Sequence, residues 1–328
     1  MQRLDHYWYS KNRVALLLLP LSWLFCAVVA LRRYAYRTGL LPSYHVPVPV
    51  IVAGNITVGG SGKTPLVLWL VEFLRQAGYK PGIVSRGYGG RPGAGPREVN
   101  AKSDPVEVGD EAVLLARRCG CPIRVSADRV AAARELLSEC DVIISDDGLQ
   151  HYRLQRDIEI AVVDAERGFG NGFCLPAGPL REPLRRLHEV DLIVNNGKRD
   201  DAGYTMRLQE LALHNLHNES LIRHVTDFRG QTVHAIAGIG HPARFFTHLR
   251  RLGLNVIEHG FPDHHPFTAG EIEFGDAAPV IMTEKDAVKC KRFAEPHHWT
   301  MPVQAELEPG FGERLLALLK DLPRKYHG

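Results

Sequence analysis

Residues 57–64 read T-V-G-G-S-G-K-T, with an apolar run at 48–53 before them and a helix-like segment at 66–74 after them. Strand, glycine-rich turn, Lys-Thr and helix in that order commit this part of the chain to an α/β layer with a phosphate cradle at a strand end. Glycines let backbone N–H groups turn inward onto phosphate oxygens. The helix that follows points its positive end at the same anion. In this pattern Lys63 reaches the β- and γ-phosphates and the Thr64 hydroxyl holds Mg²⁺. Thr57, Val58, Gly59, Gly60, Ser61, Gly62, Lys63 and Thr64 are therefore the expected ATP-binding loop. Pro65 falls in a first helical turn, where a missing N–H costs no helical bond. One position departs from the usual G-x-x-x-x-G-K-[ST] pattern: Thr57 stands where the first glycine belongs, and Gly54 lies three residues earlier. A glycine-rich βα turn that binds nothing is the bland alternative.

Further apolar runs at 82–85, 123–125, 142–145, 158–163 and 192–194 read as strands, and the segments 66–76, 111–118 and 129–137 as helices between them. Most of the strand runs are continuously apolar rather than alternating, as expected of strands covered on both faces. The pattern predicts an α/β/α sandwich of the P-loop NTPase type with a mainly parallel sheet. Residues 200–227 are polar, with a strand expected near 204–208. Alternation then resumes: strands at 232–237, 256–258 and 280–282, helices at 243–252, 284–292 and 311–319. The reading is an N-terminal segment 1–33, a nucleotide-binding domain 34–227, and a second, smaller α/β domain 228–328.

Composition excludes some functions. The formal charge of +3 and pI near 8.5 are too mild for a nucleic-acid binder. Six cysteines include one close pair, Cys119 and Cys121, and C-x-C alone is a poor zinc pattern. Reduced, mostly buried thiols are expected. Residues 14–31 carry no charge. As a helix they would be about 27 Å long, close to a hydrocarbon core of roughly 30 Å. Lys11 and Arg13 precede them, and Arg32, Arg33 and Arg37 follow. An uncleaved helix lying in the cytoplasmic leaflet, a single span interrupted by Pro20, and a signal peptide are three readings of this segment. A helix buried in a soluble core is the fourth.

A second nucleotide signature is D-V-I-I-S-D-D-G-L-Q-H at 141–151. An apolar strand ending in acid lies where strand ends face the ligand crevice, so Asp147 is expected to hold Mg²⁺ opposite Thr64. The competing reading is a solvated Asp-Asp turn before Gly148. Arg129, after S-A-D, and Arg181, within G-P-L-R-E-P, are candidates for a transferred or resident phosphate, because a guanidinium fork donates two parallel bonds. A surface ion pair is the alternative for each. Asp110 opens a helix in V-G-D-E and can simply cap it. Asp263, His264 and His265 set an acid beside two imidazoles, and T-E-K-D at 283–286 caps a helix.

Taken together and in this order, these motifs resemble the tetraacyldisaccharide 4′-kinases of Gram-negative bacteria. The motifs that carry the resemblance are the apolar N-terminal helix, G-N-I-T-V-G-G-S-G-K-T-P, S-R-G-Y-G, V-G-D-E, D-D-G-L-Q-H, G-N-G followed by P-A-G-P-L-R-E-P, G-I-G-H-P, F-P-D-H-H and T-E-K-D-A-V-K, which together span nearly the whole chain. The resemblance implies a membrane-associated enzyme of two α/β/α domains. It would move the γ-phosphate of ATP to the 4′-hydroxyl of a tetraacylated glucosamine disaccharide 1-phosphate, an acylated lipid drawn from the cytoplasmic leaflet of the inner membrane. It implies that Asp110 pairs with His264, with His265 as the fallback, to activate that hydroxyl, and that Asp146 and Glu182 join the metal site. No obligate protein partner is implied. Two other classes stand beside it. A membrane-bound partitioning-type ATPase would need a second lysine where Val58 stands. A soluble small-molecule P-loop enzyme would leave residues 14–31 unexplained.

Overall fold

The structure, a computed structural model, describes residues 7–10, 12–199 and 203–322. Lys11, the first six residues and Asp200 therefore lie outside the described residues. Eight strands follow the N-terminal segment: β1 (Val50–Gly54), β2 (Pro81–Ser85), β3 (Arg97–Glu98), β4 (Ile123–Val125), β5 (Val142–Asp146), β6 (Ile158–Asp164), β7 (Leu192–Asn196) and β8 (Tyr204–Glu210). They belong to one sheet. The next six form a second sheet: β9 (Leu213–Asn215), β10 (Ile222–Arg223), β11 (Thr232–Ala237), β12 (Asn255–Gly260), β13 (Val280–Thr283) and β14 (His298–Met301). The last strand, β15 (Val303–Leu307), returns to the first sheet and pairs antiparallel with β8, Ala305 opposite Leu208.

In the larger sheet the order is β15-β8-β7-β6-β1-β5-β2-β4-β3. Pairing is parallel from β8 through β4 and antiparallel at both edges. β1 sits centrally and is buried on both faces. Ile51 and Ala53 join the apolar layer that includes Leu66, Leu70 and Leu74, while Val50 and Val52 join the opposite layer with Ile143 and Ala161. This is why the strand reads as an unbroken apolar run.

The helices are α1 (Arg13–Leu17), α2 (Leu19–Arg37), α3 (Lys63–Gln76), α4 (Pro105–Val108), α5 (Asp110–Cys119), α6 (Arg129–Glu135), α7 (Pro242–Arg251), α8 (Glu284–Cys290) and α9 (Phe311–Lys320). The sheets part between β8 and β9, not at residue 228. The end of the chain also leaves the smaller unit: α9 buries Phe311, Leu315 and Leu319 in the core of the larger sheet. Phe311 meets Trp69 and Tyr204 edge-on. The segment V-Q-A-E-L of β15 is half exposed, with only Ala305 buried, so it lacks the continuous apolar run that marks the central strands.

The apolar N-terminal run is two helices rather than one, and Pro20 falls in the first turn of α2 instead of inside a helix. Among the described residues no helix is long and apolar enough to cross a membrane. One face of α2 lies on the protein. Ser22 is buried and its hydroxyl donates to the Cys174 carbonyl at 2.7 Å. Phe25 and Cys26 pack on the apolar layer behind β1. The other face is bare: Trp23 is 67% exposed, Leu24 62% and Leu31 69%. The three arginines that follow the apolar run lie in the last turns of α2, where Arg33 and Arg37 both pair with Glu189 and Arg32 donates to the Gln150 carbonyl at 3.0 Å.

Candidate active site

The phosphate loop runs from the end of β1 to the start of α3. Gly59 and Gly62 take φ of 103° and 91°, and Gly62 is the N-cap of α3. A side chain at Gly62 would lie 2.3 Å from the Asn196 amide nitrogen, which donates to the Ser61 carbonyl at 3.1 Å. A side chain at Gly240, in the G-I-G-H-P loop, would lie 2.5 Å from the Gly60 nitrogen. The smaller unit thus abuts the cradle. Ser61 is buried, and its hydroxyl finds no hydrogen-bond partner among the described residues. An orphaned buried hydroxyl in an amide-lined loop suits an incoming phosphate oxygen. The Val58 N–H is committed elsewhere, donating to the Pro179 carbonyl at 2.8 Å, and Thr57 bridges Leu180.

The G/P-rich run 169–183 is a strap without helix or strand, and its Cys174 and Leu180 pack into the apolar layer behind β1. Within it Cys174 accepts from Ser22, and Pro176 accepts from the Trp8 indole N–H at 3.0 Å. Pro179 and Leu180 hold Val58 and Thr57, and Arg181 reaches Asp147.

Lys63 Nζ lies 3.2 Å from Asn55 Oδ1 and 3.4 Å from Asp147 Oδ1. Asp147 follows β5 in the left-handed region, φ 48°. Its carboxylate also meets Arg181 at 3.1 and 3.3 Å. Burial would raise its pKa, but Lys63 and Arg181 outweigh burial and hold it well below the usual carboxylate range. Asp146 is buried at the strand end, where Ser85 donates to it at 3.1 Å. Burial, with Glu111 and Asp147 nearby, pushes its pKa up to about 6.

Two expected residues sit behind this front. Arg129 is buried and donates to the Asp147 backbone carbonyl at 2.9 Å, so it braces the turn. Glu182 is fully buried and accepts from Tyr152 and from Gln150 at 3.0 Å, with Arg186 and Arg33 at 3.7 and 3.8 Å. The structure points it toward α2, and it is not among the residues that line the cleft. Thr64 and Asp147 do line the cleft. Among the described residues no group of three or more His, Cys, Asp or Glu is arranged to hold a metal. A Mg²⁺ bound mainly through phosphate oxygens and water needs only one or two protein groups, and Thr64 with Asp147 meets that need.

Across the cleft stands the acid–imidazole pair. Asp110 is the first residue of α5, after Gly109 at φ 92°. A side chain at Gly109 would lie 2.5 Å from the Tyr88 carbonyl, which is how S-R-G-Y-G and V-G-D-E interlock. His264, in the loop after β12 with φ 60°, sets Nδ1 at 3.0 and 3.1 Å from the two Asp110 oxygens. His265 turns away to Glu271 at 2.9 Å and packs on Phe261 and Phe267. The pair is thus Asp110 with His264. Burial opposes ionisation of Asp110, yet the His264 bond and the charges of Lys285 and Lys289 lower its pKa overall.

A carboxylate only accepts, so Nδ1 carries the proton and neutral His264 keeps its lone pair on Nε2. That nitrogen faces Lys285 Nζ at 3.2 Å. Lys285 also meets Glu111 and Asp263, each at 2.8 Å. These carboxylates offset the cost of its burial and raise its pKa.

One cleft of about 720 Å³ joins these parts. Lys63, Thr64, Asp147 and Arg181 line it from the larger unit; Gly240, Asp263, His264 and Lys285 line it from the smaller. Trp8 and Tyr9 line it too, and the Arg167 guanidinium lies 4.6 Å from the Tyr9 ring centre.

Sequence reasoning missed Asn55, Asn196, Lys285 and the two aromatics. Asn55 and Lys285 lie inside quoted motifs, and a buried polar residue beside a phosphate loop was the available signal for Asn196. No local pattern marks Trp8 or Tyr9.

Residues 14–320 match the family model described as tetraacyldisaccharide-1-P 4′-kinase. The chain is similar to the tetraacyldisaccharide 4′-kinase of Nitrosococcus oceani, 52% identical over 97% of this chain and 95% of that one. With that of Alkalilimnicola ehrlichii the identity is 53% over 98% of each. Its fold is similar to the "apo" form of LpxK from Aquifex aeolicus in complex with ATP, with a TM-score of 0.78, 28% identity, and cover of 93% of this chain and 99% of that one. These matches displace the partitioning ATPase and the small-molecule enzyme. The chain belongs to the tetraacyldisaccharide 4′-kinase family.

Proposed function

We propose that this family member works at the cytoplasmic face of the inner membrane. There it transfers the γ-phosphate of ATP to the 4′-hydroxyl of a tetraacylated glucosamine disaccharide 1-phosphate. The observation that carries the reading is the Asp110–His264 pair, 3.0 Å apart, with His264 opening onto the same cleft as Lys63 and Thr64.

The chemistry divides between the two walls. Lys63 and Arg181 supply positive charge where the γ-phosphoryl oxygens gain negative charge on transfer. Thr64 and Asp147 would hold Mg²⁺, with Asp146 beside them, and the ion would supply positive charge to offset that of the phosphates. Arg129 keeps Asp147 in its left-handed turn. Opposite, His264 Nε2 takes the proton of the sugar hydroxyl as its oxygen bonds to phosphorus and the bridging P–O bond to ADP breaks. Asp110 holds Nδ1–H and stabilises the imidazolium. Lys285 keeps Asp110 ionised and fixes the ring until substrate displaces it from Nε2. The exposed apolar face of α2 meets the lipid, and its inner face stays on the catalytic body.

The test uses the full-length protein in detergent micelles with labelled ATP, Mg²⁺ and the disaccharide lipid 1-phosphate. A doubly phosphorylated lipid is expected. Hydrolysis of ATP without label in the lipid would defeat the reading.

A further inference from the structure

Away from the cleft, α5 ends in C-G-C. The two sulfurs, Cys119 Sγ and Cys121 Sγ, lie 3.2 Å apart. Gly120 between them turns through the left-handed region, φ 54° and ψ 27°, which glycine adopts without penalty. Arg75, near the end of α3, grips the turn: its guanidinium donates to the Cys119 carbonyl and, at 2.8 Å, to the Gly120 carbonyl. The backbone is thus fixed with the thiols face to face.

We propose that Cys119 and Cys121 form a reversible two-electron site, closing to an intramolecular disulfide on exposure to a hydroperoxide. Cys119 is the attacking thiol. The hydrogen bond from Cys121 and the charge of Arg75 outweigh burial and bring its pKa down to about 7, whereas Cys121 is pushed up and keeps its proton. Burial pushes Cys140 and Cys290 to about 12, and raises Cys174 as well. A thiolate fraction near neutrality therefore favours Cys119 over those three.

In the first step the Cys119 thiolate attacks one peroxide oxygen, the O–O bond breaks, and the departing oxygen takes a proton to leave as water. Cys119 is then a sulfenic acid. In the second, Cys121 sulfur attacks Cys119 sulfur, the S–O bond breaks, and the hydroxyl leaves as water with the Cys121 proton. Two thiols and one hydrogen peroxide give one disulfide and two waters, and a dithiol reductant reverses the change. The residues are only 7% and 8% exposed, which suits a small peroxide better than a bulky disulfide.

The experiment treats the full-length protein with hydrogen peroxide, blocks free thiols with iodoacetamide, and maps the peptides by mass spectrometry. Expected is a linked 119–121 peptide lighter by two hydrogens, two fewer alkylated thiols out of six, and full recovery with dithiothreitol. Cys119→Ser and Cys121→Ser should each abolish the link, and Cys140→Ser should keep it. Three outcomes on the wild-type protein overturn the proposal without any variant having to fold: six thiols still alkylated, oxygen added irreversibly at Cys119, or a link elsewhere such as Cys26 to Cys174.

Discussion

The two walls of the cleft are built in opposite ways. The nucleotide wall is local: Lys63 and Thr64 are neighbours on the turn into α3, and Asp147 comes from β5, which pairs directly with β1. The wall that faces the acceptor is assembled from afar. Asp110 and His264 are 154 residues apart and meet only because Gly109 seats against Tyr88 and β12 delivers its loop to α5. Phosphate recognition needs one turn of backbone and tolerates little variation. Proton abstraction needs a second unit docked to within hydrogen-bond reach. On the proposed assignment of the two walls, binding and chemistry are separable, and substitutions on each wall should fail differently.

The largest effect is expected at Asp110. Without it the imidazole loses its orienting partner, and Asp110→Ala should lower turnover by roughly a thousandfold while ATP affinity stays unchanged. Equilibrium ATP binding and single-turnover phosphorylation on the same preparation check this. Lost ATP affinity with normal turnover would make Asp110 a cap and erase the contrast between the walls. Lys63→Ala comes next. Removing charge stabilisation at the transferring phosphoryl group should cost about a hundredfold in turnover with the fold intact by circular dichroism. A near-normal rate would break the assignment of the nucleotide wall.

Lys285→Met sharpens the comparison, since this cation serves the acceptor wall alone. We expect roughly a tenfold drop in kcat. Lys285 helps keep Asp110 below its ordinary pKa, so its removal lets that pKa rise, and the acid limb of the pH–rate profile should move to higher pH. An unmoved limb would leave Lys285 a structural ion pair.

The smallest effect concerns stability. The folded-state pKa of Asp146, about 6, exceeds its ordinary 3.8, so the folded state binds the proton more tightly than the unfolded one. Stability therefore falls as pH rises through that window, by up to about 3 kcal/mol. Asp146→Asn should raise Tm by a few degrees at pH 8 in EDTA, with the gain vanishing near pH 4, while activity declines. A Tm gain that is the same at both pH values would mean that packing, not charge, is responsible.

Much of this was legible in the residues. The central strands are continuous apolar runs because both faces are covered, so β1, β5 and β6 stand out in the sequence. The phosphate loop and Asp147 were visible because their chemistry is confined to consecutive residues. The choice of His264 over His265 was not, since only the packed loop decides which ring turns to Asp110 and which to Glu271. β15 was hidden by its exposed, alternating edge, and its return to the larger sheet was hidden with it. Nor was the pairing of Arg33 and Arg37, in the last turns of α2, with Glu189 legible, since that partner lies more than 150 residues away.

The strap 169–183 gives this geometry a mechanical meaning. In eight residues it touches α2 at Cys174, the Trp8 indole at Pro176, the phosphate loop at Pro179 and Leu180, and Asp147 through Arg181. It is a short link between α2, whose outer face is bare, and the phosphate loop and Asp147. A truncation of residues 1–33 would therefore do more than remove the proposed membrane contact. It cuts the link at one end and strips two aromatics from the cleft wall, so activity lost on truncation cannot be assigned to delocalisation alone. Polar substitutions on the bare face of α2, at Leu24 or Leu31, leave the link whole and test the proposed membrane contact by itself.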